Sequence, residues 1–193
     1  MSIIASGRIA QLVILAGMWA TVLAFLQLAR KGRVSRIRPL AALQAIEQAV
    51  GRAVEMGRPV HFVPGIEGLS STFAAQTVAG LSVLSYTASL CAKYGCKIIT
   101  TNQNVESLPV QEEIVKQAYL SAGKADLFEP GMVRHLSPYN MSYGAGAVAL
   151  VERENVATNI LIGAHSMEAL MILEAGSRVG AMQIGGTGTL TRS

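Results

Sequence analysis

The sequence predicts an α/β protein: a Rossmann-like three-layer sandwich with a mainly parallel sheet of about five strands, preceded by one transmembrane helix. From Pro39 onward, short apolar runs alternate with segments of helical periodicity. The strand-like runs are continuously apolar, which is typical of sheets that are covered on both faces. Before them, Ile9 to Ala29 forms a run of 21 residues without a charge. A helix of that length spans about 30 Å, the thickness of the hydrocarbon core of a bilayer.

The charges around this run predict its orientation. Only Arg8 precedes it, whereas five basic residues follow it closely, namely Arg30, Lys31, Arg33, Arg36 and Arg38. Positive charge stays in the cytoplasm, and such clusters also bind anionic lipid headgroups. We therefore expect a single-pass protein of the cell membrane, with its N-terminus outside. The predicted parts are an anchor (1–30), a basic juxtamembrane linker (31–39) and a cytoplasmic α/β domain (40–193). A cleaved signal peptide fits less well, because the charge lies on the wrong side and no small-residue cleavage site follows.

The first half of the domain divides into helices and strands at glycine and proline. Apolar residues at helical spacing predict a helix over Leu40 to Met56, which Gly57 and Pro59 end. The later helices and strands follow the same logic, with turn residues between them. The predicted strands are Val60–Val63, Lys97–Thr101, Met132–Leu136, Thr158–Gly163 and Gly180–Ile184. The predicted helices between them are Leu69–Tyr94, Ser107–Ala122, Tyr139–Glu154 and Ser166–Ala175, the last of them closed by Gly176.

Composition excludes some functions. The net charge is +4 and charged residues make up only 15% of the chain. Since the charges beyond the basic cluster nearly cancel, the domain has no basic face for nucleic acid. The two cysteines, Cys91 and Cys96, lack metal-ligand spacing, so we expect reduced thiols and no metal site.

Small polar residues follow the predicted strands. In open parallel sheets, ligands bind beyond the carboxyl ends of the strands, so these residues are candidates for a ligand site. Helix starts near Ser70 and Ser166 would attract a small anion or a nucleotide phosphate. The same residue types also serve as helix caps and tight turns, which is the simpler interpretation. The candidate ligand-binding residues are Gly65, Glu67, Ser70, Ser71, Thr101, Asn102, Asn140, His165, Ser166, Gly186 and Thr187.

Individual motifs leave alternatives open. The run from Gly185 to Thr189, GGTGT, resembles a phosphate-binding loop, but it lacks the lysine of that motif and also suits a flexible tail. His165 with Glu168 one turn later could be an acid–base pair or an ordinary helix cap. His61 and His135 fall inside predicted strands and are expected to pack in the core. No catalytic set of residues and no cofactor motif stands out.

Two stretches carry a family resemblance. The first is HFVPGIEG, from His61 to Gly68, which is followed by Ser70-Ser71 and a helix of small residues. The second is MSYGAG, from Met141 to Gly146, which is followed later by GAHS, from Gly163 to Ser166. With them, the chain resembles an uncharacterised prokaryotic family of membrane-anchored α/β proteins, a domain of unknown function. The resemblance covers most of the chain beyond the anchor, and it implies neither an activity nor catalytic residues.

Two functions are consistent with the sequence. The first is a non-enzymatic subunit, acting as scaffold, assembly factor or sensor in a membrane complex, as a homo-oligomer or with other subunits. Low charge and small residues on the helices favour it, because small residues allow close approach of neighbours. The alternative is a domain that binds a small anion or a nucleotide at the strand ends, with or without enzymatic activity; the fold alone licenses no chemistry.

Overall fold

The computed structural model describes residues 9–30 and 41–188, with side chains for 11–27 and 42–188. The chain divides into two compact units, Met1–Pro39 and Leu40–Ser193. The predicted linker (31–39), Leu40 and the side chains of the five basic residues from Arg30 to Arg38 lie outside the described part.

The first unit contains helix α1, Ile9–Arg30. All side chains described along it, those of residues 11–27, are exposed, including Trp19 and Phe25. None of the helices in the described ranges is both long and apolar enough to cross a membrane.

The second unit is a five-stranded α/β domain, which confirms the predicted class. Its helices and strands, in chain order, are α2 Ala41–Met56, β1 Val60–Val63, α3 Ala74–Tyr94, β2 Ile98–Asn102, α4 Leu108–Ser121, β3 Val133–His135, α5 Asn140–Arg153, β4 Thr158–Ile162, α6 Met167–Arg178 and β5 Met182–Gly186. The strands lie in the order β3-β2-β1-β4-β5, and every neighbouring pair is parallel. The order reverses between β1 and β4, which is where open α/β sheets bind their ligands.

Side chains alternate between the two faces of the sheet and give it two cores. Val60 and Phe62 of β1 belong to a core that includes residues of α2, α3 and α4. Val63 belongs to a second core, which includes Tyr143 of α5 and Ile172 of α6. Because both faces are covered, β1 and β2 are buried along their whole length, although β2 ends in the polar residues Thr100, Thr101 and Asn102. Both cysteines are buried as free thiols, Cys91 in α3 and Cys96 before β2.

Several predicted boundaries were wrong, and those at α3, α6 and β5 have clear physical reasons. Helix α3 begins at Ala74 rather than Leu69, because Ser70 bonds to the carboxylate of Glu106 and residues 69–73 form turns. Helix α6 continues through Gly176 to Arg178; this glycine is buried where the Asn159 amide leaves no room for a Cβ, so it serves close packing and not termination. Strand β5 begins at Met182, since Gly180 has a φ of 69° and belongs to the turn after α6.

Candidate ligand-binding site

The candidate residues after β1, β2, β4 and β5 and before α5 all lie at the carboxyl edge of the sheet, because the strands are parallel. Thr101 and Asn102 end β2, Asn140 begins α5, and His165 and Ser166 connect β4 to α6. The remaining candidates follow β1 (Gly65, Glu67, Ser70 and Ser71) or lie at the end of β5 (Gly186 and Thr187).

At the carboxyl edge, the backbone segments that follow β1 and β4 contact each other directly. The N–H of Ile66 donates to the carbonyl oxygen of Ala164 at 3.0 Å. Gly65 has a φ of 101°, and a Cβ there would lie 3.0 Å from the backbone nitrogen of Ala164. A Cβ on Gly163 would lie 2.5 Å from the Pro64 carbonyl oxygen. Only glycine permits this contact. Because the contact closes the middle of the edge, two places remain where a ligand could bind, one on each face of the sheet.

On the face covered by α5 and α6, His165 and Glu168 meet at the start of α6. His165 Nδ1 lies 3.5 Å from Glu168 Oε1, and both side chains are buried. Glu168 Oε1 also accepts the backbone N–H of Ser166 at 2.8 Å, so it caps the helix. Burial raises the pKa of Glu168, but the contact with His165 and the N–H of Ser166 outweigh burial and hold that pKa below its usual range. Glu168 is therefore a charged carboxylate at neutral pH.

Around this pair, several buried polar atoms have no hydrogen-bond partner within the described residues. The 3.5 Å contact falls short of a hydrogen bond, so both ring nitrogens of His165 are unpartnered, as is the second carboxylate oxygen of Glu168. The other such atoms at this edge are Asn102 Nδ2, Gln103 Oε1 and Asn140 Oδ1. A buried polar atom without a partner costs about 1–3 kcal/mol, so a cluster of them is costly to the fold.

Close packing of α5 on α6 brings these residues to one region. A Cβ on Gly144 would lie 3.3 Å from the Cβ of Glu168, so this glycine lets the two helices approach. Asn140 lies one turn before Gly144 on the same side of α5. Tyr143, on that side too, contacts Thr101 through its hydroxyl at 3.0 Å. The starts of α5 and α6 are thus joined to the end of β2.

A cavity of about 220 Å³ shares one residue, Gln103, with this group of unpartnered side chains. Its other lining residues neighbour the group along the chain or through bonds, since Asn104 follows Gln103 and Ile66 bonds to the residue before His165. The lining consists of Ile66, Gln103, Asn104, Val105 and Pro138. We call the side chains of Gln103, Asn140, His165 and Glu168, each of which carries an unpartnered atom, the polar cluster. Asn102, which alternates with Thr101 along β2, faces the other side of the sheet with His135.

Both predicted anion positions already hold a carboxylate of the chain. The Ser70 hydroxyl donates to Glu106 at 2.9 Å, and the backbone N–H of Ser70 faces the same group at 3.4 Å. At Ser166 the N–H is taken by Glu168. These carboxylates compete with an anionic ligand for the same donors, so the geometry disfavours an anionic ligand at both positions.

On the opposite face, a second cavity of about 420 Å³ lies between the start of α3 and the ends of β4 and β5. Gly186 and Thr187 line it, together with Ala75, Gln76, Ala79, Ile162, Gly163 and Gly188. Gly185 and Gly186 pair with β4 as part of β5, so this part of the glycine-rich run is neither a phosphate loop nor a tail.

Beneath the polar cluster lies a chain of fully bonded polar side chains. His61 contacts Asn159 Oδ1 at 3.0 Å through one ring nitrogen and the Thr101 hydroxyl at 2.9 Å through the other. Burial lowers the pKa of His61 to about 4, although the bond to Asn159 opposes it. His61 is therefore a neutral core histidine, as predicted.

Sequence reasoning paired His165 with Glu168 as a possible acid–base pair, but it left both Glu168 and Gln103 out of the candidate ligand-binding residues. The signal for Glu168 was its position one turn after a strand-end histidine. Gln103 gave no signal, because only the structure reveals an unpartnered oxygen. Among the described residues, no group of three or more His, Cys, Asp or Glu side chains is placed to hold a metal ion.

The family model described as Domain of unknown function (DUF6754) matches residues 1–192. The chain belongs to this family. No curated protein and no solved structure shows a significant match. The site must therefore be interpreted from its own chemistry.

Proposed function

We propose that this member of the DUF6754 family is a membrane-anchored protein whose α/β domain binds a small polar ligand at the polar cluster. The observation that carries the proposal is the set of buried polar atoms without partners at the sheet edge where α/β folds bind ligands. A ligand that supplies the missing hydrogen bonds would offset their cost. A ligand-responsive subunit of a membrane complex, a sensor, is the role that joins these properties.

The packing of the fold does not by itself explain why these polar atoms are buried without hydrogen-bond partners. Other buried polar side chains in the domain are bonded; Thr100 donates to Gln111 at 2.8 Å, and Gln111 donates to Ser107 at 2.9 Å. Away from the sheet edge, Gln183 Oε1 in β5 is the one further atom of this kind among the described residues, whereas His165, Glu168 and Asn140 bring several together. Polar groups that serve only the fold are expected to find partners.

Native mass spectrometry of the protein, extracted gently from its own membrane, tests the binding. We expect a stoichiometric small-molecule adduct that disappears in a Glu168→Gln, His165→Leu double variant. The matched control is Glu106→Gln, which changes the exposed carboxylate at Ser70 and should keep the adduct. An unmodified chain that carries no adduct while retaining its fold would contradict the proposal.

The proposed membrane anchor is supported by features of helix α1 in the N-terminal unit. The uncharged run of the sequence, Ile9 to Ala29, extends beyond residues 11–27, whose side chains are described. Large apolar side chains on this part of α1, such as Ile14 and Phe25, are each 68% exposed, a costly arrangement in water and a favourable one in lipid.

A topology reporter at Ser193 tests the anchor and its orientation. We expect a cytoplasmic signal from the unmodified chain, and a weaker one when Arg30, Lys31, Arg33, Arg36 and Arg38 are replaced by Gln. A chain that washes off membranes at high salt or high pH would contradict the anchor. An unchanged signal in the variant would contradict the charge rule as the determinant of orientation.

A second candidate, a structural subunit of an oligomer or complex, is favoured by exposed apolar side chains at the starts of α5 and α6. Tyr139, Met141, Met167 and Leu170 are between 62% and 75% exposed. Groups of this kind favour protein contacts. Discrete multimers or co-purifying proteins without an adduct, in the same mass spectra, would favour this candidate over the sensor.

A further inference from the structure

We infer that Cys91 and Cys96 form a redox-active dithiol, which hydrogen peroxide or a similarly small hydroperoxide oxidises reversibly to an intramolecular disulfide. The pair lies at the amino edge of the sheet, where α3 ends and β2 is about to begin. The polar cluster lies at the opposite, carboxyl edge. The inference therefore concerns a second site and does not depend on the proposed ligand.

The end of α3 brings the two cysteines together. Gly95 has a φ of 73°, its N–H donates to the Ala92 carbonyl at 3.2 Å, and the N–H of Cys96 donates to the Cys91 carbonyl at 2.8 Å. This is a Schellman motif, in which the side chains at the positions of Cys91 and Cys96 frequently contact each other. The bond of 2.8 Å also keeps the two Cα atoms within about 7 Å of each other, which is the limit for bridging by a disulfide.

The two thiols interact with each other and differ in acidity. The hydrogen bond that the Cys91 thiol donates to Cys96 raises the pKa of Cys91, and burial raises it further. The same bond lowers the pKa of Cys96 and, with a bond from the backbone of Val60, outweighs burial there. The proton of Cys96 has only long contacts, 3.7 Å to the carbonyl oxygen of Arg58 and 3.6 Å to that of Lys97. Cys96 is therefore the better nucleophile of the pair.

A cavity of about 170 Å³ reaches Cys96 but not Cys91. Cys96 lines this cavity, whereas Cys91 is fully buried behind it. Drug-sized ligands need about 300–1,000 Å³, so the cavity admits hydrogen peroxide and excludes a bulky disulfide such as oxidised glutathione. Cys96 is thus placed to meet the oxidant and Cys91 to resolve the product, which is the arrangement of redox-sensor cysteines. The cavity is lined by Gly95, Cys96, Lys97, Tyr119, Asp126, Leu127, Glu129 and Met132.

The oxidation takes two steps. The Cys96 thiolate attacks one peroxide oxygen, the O–O bond breaks, and the departing hydroxide takes a proton to become water, which leaves a sulfenic acid on Cys96. The Cys91 sulfur then attacks the Cys96 sulfur and forms the S–S bond, while the sulfenic hydroxyl leaves as water with the Cys91 proton. Two thiols have lost two electrons and two protons, and one peroxide has become two waters. A dithiol reductant reverses the reaction by exchange.

Peptide mapping of the full chain in detergent, after treatment with hydrogen peroxide, tests the inference. Trypsin cleaves after Lys93, between the two cysteines, so a disulfide joins two peptides that dithiothreitol separates. We expect this joined pair as the main thiol product, with a mass lower by two hydrogen atoms and full recovery of both thiols on reduction. A folded chain whose thiols persist in peroxide until urea unfolds it would overturn the inference, as would conversion to sulfonic acid without the joined pair.

Two single variants test the order of attack. Cys91→Ala removes the resolving thiol, so a sulfenic acid should accumulate on Cys96 and be labelled by dimedone. Cys96→Ala leaves only the buried thiol, which dimedone should label at least tenfold more slowly under the same conditions. Equal labelling of the two variants would contradict the assignment of Cys96 as the residue that meets the peroxide. If a variant fails to fold, the joined peptides of the unmodified chain still decide whether the pair is redox-active.

Discussion

The two faces of the sheet bury polar side chains in opposite ways. On the face covered by α2, α3 and α4, Thr100, Gln111 and Ser107 form a closed series that ends on the Asn104 carbonyl oxygen at 3.1 Å. On the face covered by α5 and α6, His61 belongs to a similar bonded series. At the strand ends of this face, however, both ring nitrogens of His165 and the Oε2 atom of Glu168 have no hydrogen-bond partner.

This difference separates polar groups that hold the fold from polar groups that are available to a ligand. Two histidines illustrate it within one layer. Both ring nitrogens of His61 are bonded, while neither ring nitrogen of His165 is. The fold gains from the first and pays about 1–3 kcal/mol for each unpartnered group of the second kind. Mutation of His61 should therefore mainly lower the stability of the fold, whereas mutation of His165 should mainly affect ligand binding.

The largest effect is expected at His61. His61→Ala removes a fully buried ring and leaves Asn159 and Thr101 without partners, so the free energy of unfolding should fall by about 4 kcal/mol. Equilibrium denaturation in urea measures it. Ligand binding should survive wherever the variant remains folded. A loss below about 1 kcal/mol would show that the bonded series does not hold the core.

The pH dependence of stability should isolate the same residue. The pKa of His61 is about 4 in the folded chain, below the usual 6.5, so the unfolded chain binds a proton between these values and the folded chain does not. Stability is therefore present above pH 6.5 and is lost as pH falls towards 4, by roughly 3 kcal/mol.

The control for this pH effect is His61→Gln, which cannot titrate. Its free energy of unfolding should fall less steeply between pH 6.5 and 4 than that of the unmodified chain. Parallel pH profiles for the two proteins would mean that His61 titrates normally when folded.

An intermediate effect is expected from the closed series on the opposite face. Gln111→Leu removes the partner of both Thr100 and Ser107 and should cost about 2 kcal/mol of unfolding free energy. Asn140→Leu, at the start of α5 on the open side, should cost less, because the side-chain oxygen that it removes has no partner. Denaturation of the two variants side by side checks the ranking, and a reversed order would break the distinction between the faces.

The smallest effect on stability is expected at His165. His165→Leu removes two nitrogens without hydrogen-bond partners, but it also removes the contact that lowers the pKa of Glu168, so it should lower the unfolding free energy by only about 1 kcal/mol. Binding of the native ligand should be lost. Thermal melting with and without the ligand recovered from the membrane extract separates these two properties. A destabilisation as large as that of His61→Ala would make His165 a structural residue.

The sequence was sufficient for the layers of this fold and insufficient for its site. Continuous apolar runs such as Val60–Val63 predict covered strands, because both faces of each strand must be buried. Ser70 was misread as a helix start, since only the fold brings the Glu106 carboxylate to it, 36 residues along the chain. His165 and Ser166 were predicted, being next to a strand end. The unsatisfied state of Asn102 and Gln103 depends on side chains from β3 and the α5 loop, which no local pattern reports.

A high-resolution experimental structure of the protein, purified from its own membrane without ligand-removing steps, tests the binding site most directly. We predict non-protein density at the polar cluster, with a polar group within hydrogen-bond distance of Glu168 Oε2. His165 or Asn140 should make a further hydrogen bond to it. A cluster in which these atoms bond only to ordered water, or to other protein groups, would contradict the proposal that they are kept for a ligand.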